Sequence, residues 1–391
     1  MTQRVITLHL DPETIAAYAG SLPIDPAEAP HLLSQVIADN LARDGMSDLI
    51  LTLRLFPQPL LAAFGEFTSA QEARLNKQVH SILAACRHLL YVSYAQAEAD
   101  SHLLAEHLQA RWGQDAVARF RYTAIPRGGL IVLGMLAYQL GLGRDRLEAP
   151  DLDETLVVVD DCAISGFRLG EFLARTAQEK VIFALLYAHP DLCWEIERQE
   201  PRVLACLSGR DLHDHASVQL GENYPGWLAR ARERMGSGRY WIGIPEQVCF
   251  PWNEPDRLVW DDEVQRNVRG WRLLPPELCL KNHLPQTVKP LVVQIQLPGK
   301  GPLRPTDTVI YARVADQVVL GNIRTGAAFG LAGTGADMWL AIVEYGSLEA
   351  VVHRLLSVYA VDESDLRQDV QRFTSDLIQR GLLEDEAGGI G

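Results

Sequence analysis

The chain holds 391 residues, 48% hydrophobic and 22% charged; that length corresponds to about two or three domains, and the makeup is that of soluble globular protein, which excludes a disordered or collagen-like chain. Its 36 Lys and Arg against 50 Asp and Glu leave a net charge of −14, which excludes general nucleic-acid binding, because that affinity rests on cationic contacts to phosphate. A local basic pocket for a small anion is compatible with the same balance.

Residues 5–10 form a short strand-like run that ends in Asp11-Pro12-Glu13, a helix start with Pro in the first turn. Apolar residues then recur at helical spacing at Leu32, Leu33, Val36, Ile37 and Leu41, and a second helical stretch covers 71–90. The spacing predicts a mainly helical region over 1–87, either a packing element or a dimerisation element that would make a homo-oligomer, with no chemistry of its own. Over 88–285 the helical and strand periods alternate: helix 103–112, strand 122–125, helix 130–142, a buried β-branched strand 156–159, helix 169–178, strand 181–187 and a strand at 202–207. This rhythm predicts an α/β domain, a parallel sheet with helices on its faces. The longest uncharged stretch, 128–143, is too short for a membrane span and holds glycines, Tyr138 and Gln139. With no signal-like segment at Met1, no CxxC, and six scattered cysteines, the expectation is a cytoplasmic protein with no membrane partner.

Residues 286–305 carry Pro290, Pro298, Pro302, Pro305, Gly299 and Gly301 and read as a partly extended linker. Residues 306–384 read as three strands (309–314, 318–323, 327–331) followed by three helices (335–345, 348–359, 364–380), a winged-helix outline. Leu366, Val370, Phe373 and Leu377 share one face of the last helix, and Gly381 ends it. Residues 385–391 read as a frayed tail.

The sharpest chemical signal is Leu156-Val157-Val158-Val159-Asp160-Asp161-Cys162-Ala163-Ile164-Ser165-Gly166. A buried strand ends in two acids, and a Ser-Gly turn opens a helix. Ligands of open α/β sheets sit at the carboxyl ends of strands. The turn's N–H groups and the helix start suit a phosphate. Two carboxylates beside it would repel that phosphate and suit hydroxyls instead. The residues therefore suggest a sugar phosphate, with its hydroxyls on Asp160 and Asp161.

This segment resembles the phosphoribosyl-pyrophosphate motif of type I phosphoribosyltransferases. Pro126-Arg127-Gly128-Gly129-Leu130 resembles their pyrophosphate loop, closest to the xanthine–guanine type, where Arg-Gly-Gly-Leu opens a helix ending in Leu-Gly, here Leu140-Gly141. Residues 94–108 resemble that type's opening helix. Ala188-His189-Pro190 and Phe250-Pro251-Trp252 fall where it has its base-binding strand end and aromatic hood. The resemblance implies phosphoribosyl pyrophosphate as substrate with Mg2+. Asp160 and Asp161 would hold the ribose hydroxyls, directly or through metal and water. Cys162, Ala163, Ile164, Ser165 and Gly166 would cradle the 5′-phosphate. Arg127, Gly128 and Gly129 would hold pyrophosphate, and His189 and Trp252 would line the acceptor pocket.

Three departures bear on the acceptor. Purine members carry a carboxylate three residues after the second acid, and Ile164 stands here without a titratable group. A purine-reading lysine is replaced by His189. The stretch 143–155 is too short for the flexible hairpin that covers the site in the family. These point to a different acceptor with an open site, or to an inactive ligand-binding relic. His213-Asp214-His215 could ligate a metal or form a solvated loop, with no third ligand at a recognisable spacing. Trp241, Trp252 and Trp260 could stack on a planar acceptor or fill the core.

The segment from Gly321-Asn322-Ile323-Arg324-Thr325-Gly326 to Gly335-Ala336, with the helix pair ending in Arg380-Gly381-Leu382-Leu383, resembles the PqqD family. These domains recognise precursor peptides of ribosomally made, modified natural products. The resemblance implies that a leader peptide adds as a strand to the edge 327–331, with Phe329, Leu331, Val370 and Phe373 either as contacts or as core residues of the domain. Arg367, Arg372 and Arg380 are balanced by Asp365, Asp369 and Asp376, so no DNA-binding face emerges. The expectation is a phosphoribosyltransferase that modifies a captured precursor peptide. The alternatives are a nucleobase or other small acceptor with a regulatory peptide domain, and a non-catalytic scaffold that senses the nucleotide or phosphoribosyl pyrophosphate.

Overall fold

The computed structural model describes residues 4–43, 49–55, 60–64, 67–147, 151–233, 240–252, 258–261, 266–280, 292–296 and 301–385. They fall into two units: 1–87 with 257–275 and 284–391, and 88–256 with 276–283.

In the first unit, β1 (Arg4–Leu10) is buried on both faces, with Ile6, Leu8 and Leu10 on one and Val5, Thr7 and His9 on the other. Asp11 caps α1 (Pro12–Gly20), accepting from the Thr14 N–H at 2.8 Å. After α2 (Ala29–Arg43) come β2 (Leu49–Leu55), parallel to β1, and β3 (Leu60–Phe64), antiparallel to β1. The helix α3 (Ser69–Arg87) completes this part. The expected mainly helical region thus contains a sheet. Residues 49–55 alternate in period 2 with Thr52 and Arg54 on one face, a strand signal inside the region expected to be mainly helical.

The second unit begins with β4 (Leu89–Tyr91), α4 (Tyr94–Trp112) and the short α5 (Gln114–Val117). Then β5 (Arg121–Ala124), α6 (Gly128–Leu140), β6 (Leu156–Ala163), α7 (Phe167–Arg175), β7 (Val181–Ala188), α8 (Pro190–Gln199) and β8 (Val203–Asp211) alternate as the sequence predicts. All four strands are parallel, in the order β5-β6-β7-β8. The helices α9 (Ala216–Leu220) and α10 (Tyr224–Glu233) lead to β9 (Gln247–Cys249), parallel to β4.

Back in the first unit, β10 (Leu258–Asp261) and β11 (Arg266–Arg269) pair antiparallel. β12 (Val292–Gln296) then lies parallel to β2, giving the sheet order β12-β2-β1-β3. The stretch read as a linker therefore supplies a strand; its β-branched run, Val292-Val293-Gln294-Ile295, is masked by flanking prolines. β13 (Leu303–Pro305) pairs with the last strand of the chain. The meander β14 (Val309–Val314), β15 (Gln317–Asn322) and β16 (Ala328–Ala332) precedes α11 (Thr334–Tyr345), α12 (Leu348–Leu356) and α13 (Glu363–Gln379), and β17 (Leu383–Asp385) closes on β13. These elements fall where the sequence places three strands and three helices. Trp339, Val318, Leu320, Ile342, Val351 and Val370 fill their core.

Two side chains fasten β14 to the N-terminal sheet. Buried Arg54 donates from Nη1 to the Val309 carbonyl at 2.6 Å. Gln294 accepts from the Arg313 N–H at 2.8 Å and donates to the Arg313 carbonyl, so its amide takes the place of a neighbouring strand. Val5, Ile50, Ala312 and Val314 pack beside them. Arg54→Ala should destabilise the first unit by about 2–4 kcal/mol through lost hydrogen bonds and an unpaired buried carbonyl. Urea unfolding checks this, and a change within experimental error would show that the arginine is not part of the fastening.

Candidate active site

Alternate residues of a strand face opposite sides of the sheet, and they sort the helices here. Tyr122, Val157, Val159, Ile182 and Ala184 pack with Val132, Leu133 and Leu136 of α6 and with Leu104 and Leu108 of α4. Leu156, Val158, Val181, Phe183 and Leu185 pack on the other side, with Leu169 and Leu173 of α7 and Leu192 and Ile196 of α8. Neighbouring strands β5 and β6 therefore send their helices to opposite faces. Such a divergence opens a crevice at the carboxyl ends of the two strands, where ligands of α/β sheets bind.

Both loops read from the sequence meet at this crevice. The first holds a cis Pro126–Arg127 peptide, with Arg127 exposed and Gly128 and Gly129 buried. A Cβ on Gly128 would lie 1.7 Å from Asp161 Oδ2 and 2.9 Å from Trp252 Nε1. A Cβ on Gly129 would lie 2.5 Å from the Val159 carbonyl. Only glycines let this loop lie against the acid pair.

The acids themselves are tightly held. Asp160 Oδ1 accepts from the Asp161 N–H at 2.9 Å, and Asp161 Oδ1 accepts from the Cys162 N–H at 2.8 Å. The Trp252 indole donates to Asp161 Oδ2 at 3.1 Å. Arg168 Nη2, from the first turn of α7, lies 3.0 Å from Asp160 Oδ2 and 3.1 Å from Asp161 Oδ1. The contact to Asp160 is an ion pair without hydrogen-bond alignment, so buried Asp160 Oδ2 has no hydrogen-bond partner. Burial, then the Asp161 charge, push the Asp160 carboxyl well above the usual carboxylate range, and Arg168 opposes them.

A stability prediction follows from that shift. A carboxyl raised above its unfolded value costs stability as pH climbs past the unfolded pKa of about 4. Asp160→Asn should therefore be more stable than wild type by about 1 kcal/mol near neutral pH, or roughly 2–4 °C in melting temperature. The gain should shrink towards pH 4. Melting curves at several pH values test this; an equal or lower melting temperature at pH 7 would show the charge to be stabilised in place.

The turn after the acids is packed from both sides. Gly166 adopts φ +75°, and a Cβ there would meet Tyr240 at 2.5 Å and Leu192 at 3.1 Å. The Ser165 carbonyl accepts from the Tyr240 N–H at 2.9 Å, while Cys162, Ile164 and Ser165 stay half-buried. His189, at the end of β7, accepts from the Asp191 N–H at Nδ1 (3.2 Å), caps α8, and stacks on Trp241 with ring centroids 4.4 Å apart. Trp252 departs from its expected role as a stacking platform. It is 6% exposed, stacks on Phe250 at 4.8 Å and orients Asp161 instead. The Trp260 side chain lies outside the described residues. Residues 141–155 hold one 3-10 turn, Arg144–Leu147, and no hairpin among the described residues.

Arg168 escaped the sequence reading. Its signal was a cation in the first turn of a helix, where the dipole disfavours one. His213 is well exposed and bonds Glu246 at 2.9 Å, and no cluster of three metal-ligating side chains occurs among the described residues. The oxygen-only acid pair, with its unsatisfied buried Oδ2, fits a hard cation that keeps water and substrate ligands. No helix among the described residues is long and apolar enough to cross a membrane.

A second candidate site lies on the C-terminal meander. β14 is covered by Gln294 and Arg54, whereas β16 ends its sheet. The Asn322 N–H donates to the Ala327 carbonyl at 2.8 Å. Bonded pairs alternate along an antiparallel ladder. Phe329 and Leu331 therefore bond to β15, and the N–H and C=O groups of Ala328, Gly330 and Ala332 point outward. Phe329, Leu331 and Phe373 are half-buried, and Arg380 sits 5.8 Å over the Phe329 ring. Val370 is fully buried in the core, which corrects its expected role as a peptide contact.

Residues 317–383 match the family model of PqqD, coenzyme PQQ synthesis protein D. A PqqD-like domain thus forms the C-terminal part of the chain. Among solved structures, TbiB1 in complex with the TbiA(beta) leader peptide is 31% identical, with a TM-score of 0.20, covering 22% of this chain and 96% of that one. A lasso peptide synthetase B1 complexed with the leader peptide is 23% identical, with a TM-score of 0.20, covering 21% of this chain and 96% of that one. No curated protein matches the chain.

Proposed function

We propose that this chain is a type I phosphoribosyltransferase that modifies a precursor peptide held by its PqqD-like domain in natural-product biosynthesis. The observation that carries the catalytic half is the meeting of a glycine loop with two acids and a Ser-Gly turn at the carboxyl ends of β5 and β6, where the helices diverge. The peptide half is supported by the PqqD match and by the open β16 edge, over which the winged-helix reading places α13.

In this reading the turn 163–166 holds the 5′-phosphate through backbone N–H groups and the Ser165 hydroxyl. Asp160 and Asp161 hold the ribose hydroxyls, and Arg127 with the Gly128 N–H holds pyrophosphate. Bound Mg2+, held by Asp160 and Asp161 and by the substrate, would supply charge neutralisation. The acceptor's lone pair forms the bond to the anomeric carbon. The bond to pyrophosphate breaks, pyrophosphate leaves with the bonding electron pair, and the acceptor's proton passes to solvent water. Positioning and electrostatics supply the rate. Ile164 offers no acid or base for a purine, and residues 143–155 are too few for the family's covering hairpin, which would leave the site open to a large acceptor. Both favour the peptide.

The test is pyrophosphate release from phosphoribosyl pyrophosphate with Mg2+, together with intact-mass analysis of the precursor peptide. A gain of one phosphoribosyl group, lost in Asp161→Asn, supports the reading. Release with free bases and an unmodified peptide replaces it with a small acceptor. Tight ligand binding with no release under any condition replaces it with a scaffold.

A further inference from the structure

We propose that Arg168 is an internal counter-ion that a sugar 5-phosphate displaces, so that the acid pair opens to hydroxyls and cation only when a phosphorylated sugar is bound. The proposal rests on the phosphoribosyl reading and adds a requirement to it: the 5-phosphate unlocks the site.

Every described polar contact of Arg168 uses one nitrogen. Nη2 lies 3.0 Å from Asp160 Oδ2, 3.1 Å from Asp161 Oδ1 and 3.0 Å from the Cys162 carbonyl. That nitrogen carries two hydrogens and faces three oxygens. The oxygen left without a hydrogen bond is Asp160 Oδ2, which is buried. The guanidinium therefore stands where a cation or a hydroxyl would serve the acids, and serves them incompletely. Its side chain is 44% exposed while the Asp160 side chain is 1% exposed, so the arginine has room to move and the acid does not. Arg168 also belongs to the first turn of α7, directly after the 163–166 turn. A dianion seated in that turn offers Arg168 planar oxygen pairs that match its fork. It also removes the conflict between a cation and the helix start.

The exchange conserves local charge balance. In the free protein one guanidinium partly neutralises two carboxylates. In the complex the guanidinium neutralises the phosphate, and the carboxylates turn to ribose hydroxyls and the divalent ion. The substrate class is then a pentose 5-phosphate, and an unphosphorylated pentose leaves the lock in place. Mg2+ and sugar phosphate must strengthen each other's binding, because each favours the same arginine position.

Calorimetric titration of the full chain with Mg2+, ribose 5-phosphate and ribose tests this. Wild type should bind Mg2+ at least tenfold more tightly with ribose 5-phosphate present, and ribose should give no such gain. Arg168→Gln should bind Mg2+ alone at least tenfold more tightly than wild type, bind ribose 5-phosphate at least tenfold more weakly, and lose the coupling. Arg168→Lys should fall between them. A merely structural arginine would weaken both ligands together or change neither, and either result overturns the exchange while leaving the phosphoribosyl reading intact. If wild type binds no ribose 5-phosphate, the phosphoribosyl reading itself fails and the exchange fails with it.

Discussion

On the proposed function, Gly128→Ala will lower affinity for phosphoribosyl pyrophosphate at least 100-fold, a loss of roughly 3 kcal/mol of binding free energy. A methyl group there would stand 1.7 Å from Asp161 Oδ2, 2.4 Å from its Cγ and 2.9 Å from Trp252 Nε1. None of these atoms is the free end of a long side chain. Asp161 is pinned by the Cys162 N–H and by the Trp252 indole, and Trp252 is pinned by Phe250. Either the carboxylate turns away and loses both donors, or the loop lifts off the acid pair. Both outcomes separate the groups that would hold pyrophosphate and ribose. Overpacking of this kind also costs about 1–3 kcal/mol of stability, so calorimetry must be paired with a thermal melt. Gly134→Ala, in the same helix, is the control. A Cβ there meets nothing within 4 Å. It should bind normally and gain up to about 1 kcal/mol in stability from helix propensity. Normal binding by Gly128→Ala would place the ligand elsewhere.

If β16 holds the peptide as proposed, Gly330→Pro should weaken precursor-peptide binding about 30-fold or more without unfolding the domain. Gly330 lies between the two residues that bond to β15, so its N–H points out from the sheet edge. Proline removes that donor and tilts a ring into the space an added strand would occupy, while the bonds at Phe329 and Leu331 survive. Edge strands tolerate such a proline. Fluorescence anisotropy with a labelled leader peptide reads the affinity, and circular dichroism confirms the fold. Leu331→Ala tests the side-chain share separately and should cost less. Undiminished binding by Gly330→Pro would move the peptide off this edge.

What the sequence made legible follows from the range of the forces involved. The run from Leu156 to Gly166 couples a buried β-branched strand to a turn of fixed residue types, and every step of that inference is local. So are the three strands and three helices of residues 309–379. The sheet built from β1, β2, β3 and β12 is not local. Its paired strands β2 and β12 set Ile50 against Val292, 292 − 50 = 242 residues apart in the chain, and leucine serves helices and strands alike. Arg168 was invisible for another reason. Its partners precede it by seven and eight residues, but only the bend after Ala163 folds them back onto it. Trp252 was placed near the site for its ring, whereas its indole N–H is what the fold uses. Val370 shares a helical face with Phe373, yet the two differ in depth, which periodicity does not report.

The Gln294 and Arg54 contacts bear on how such a protein can be recombined. A fragment starting at residue 306 would lack both, leaving the Val309 and Arg313 backbone groups bare along a second sheet edge. The remaining piece would keep a buried arginine facing water. Residues 4–64 and 292–296 must therefore travel with the PqqD-like domain in any chimera. On the proposed peptide role, a change of peptide preference is reached with less disruption by substitution along β16 than by exchange of domains.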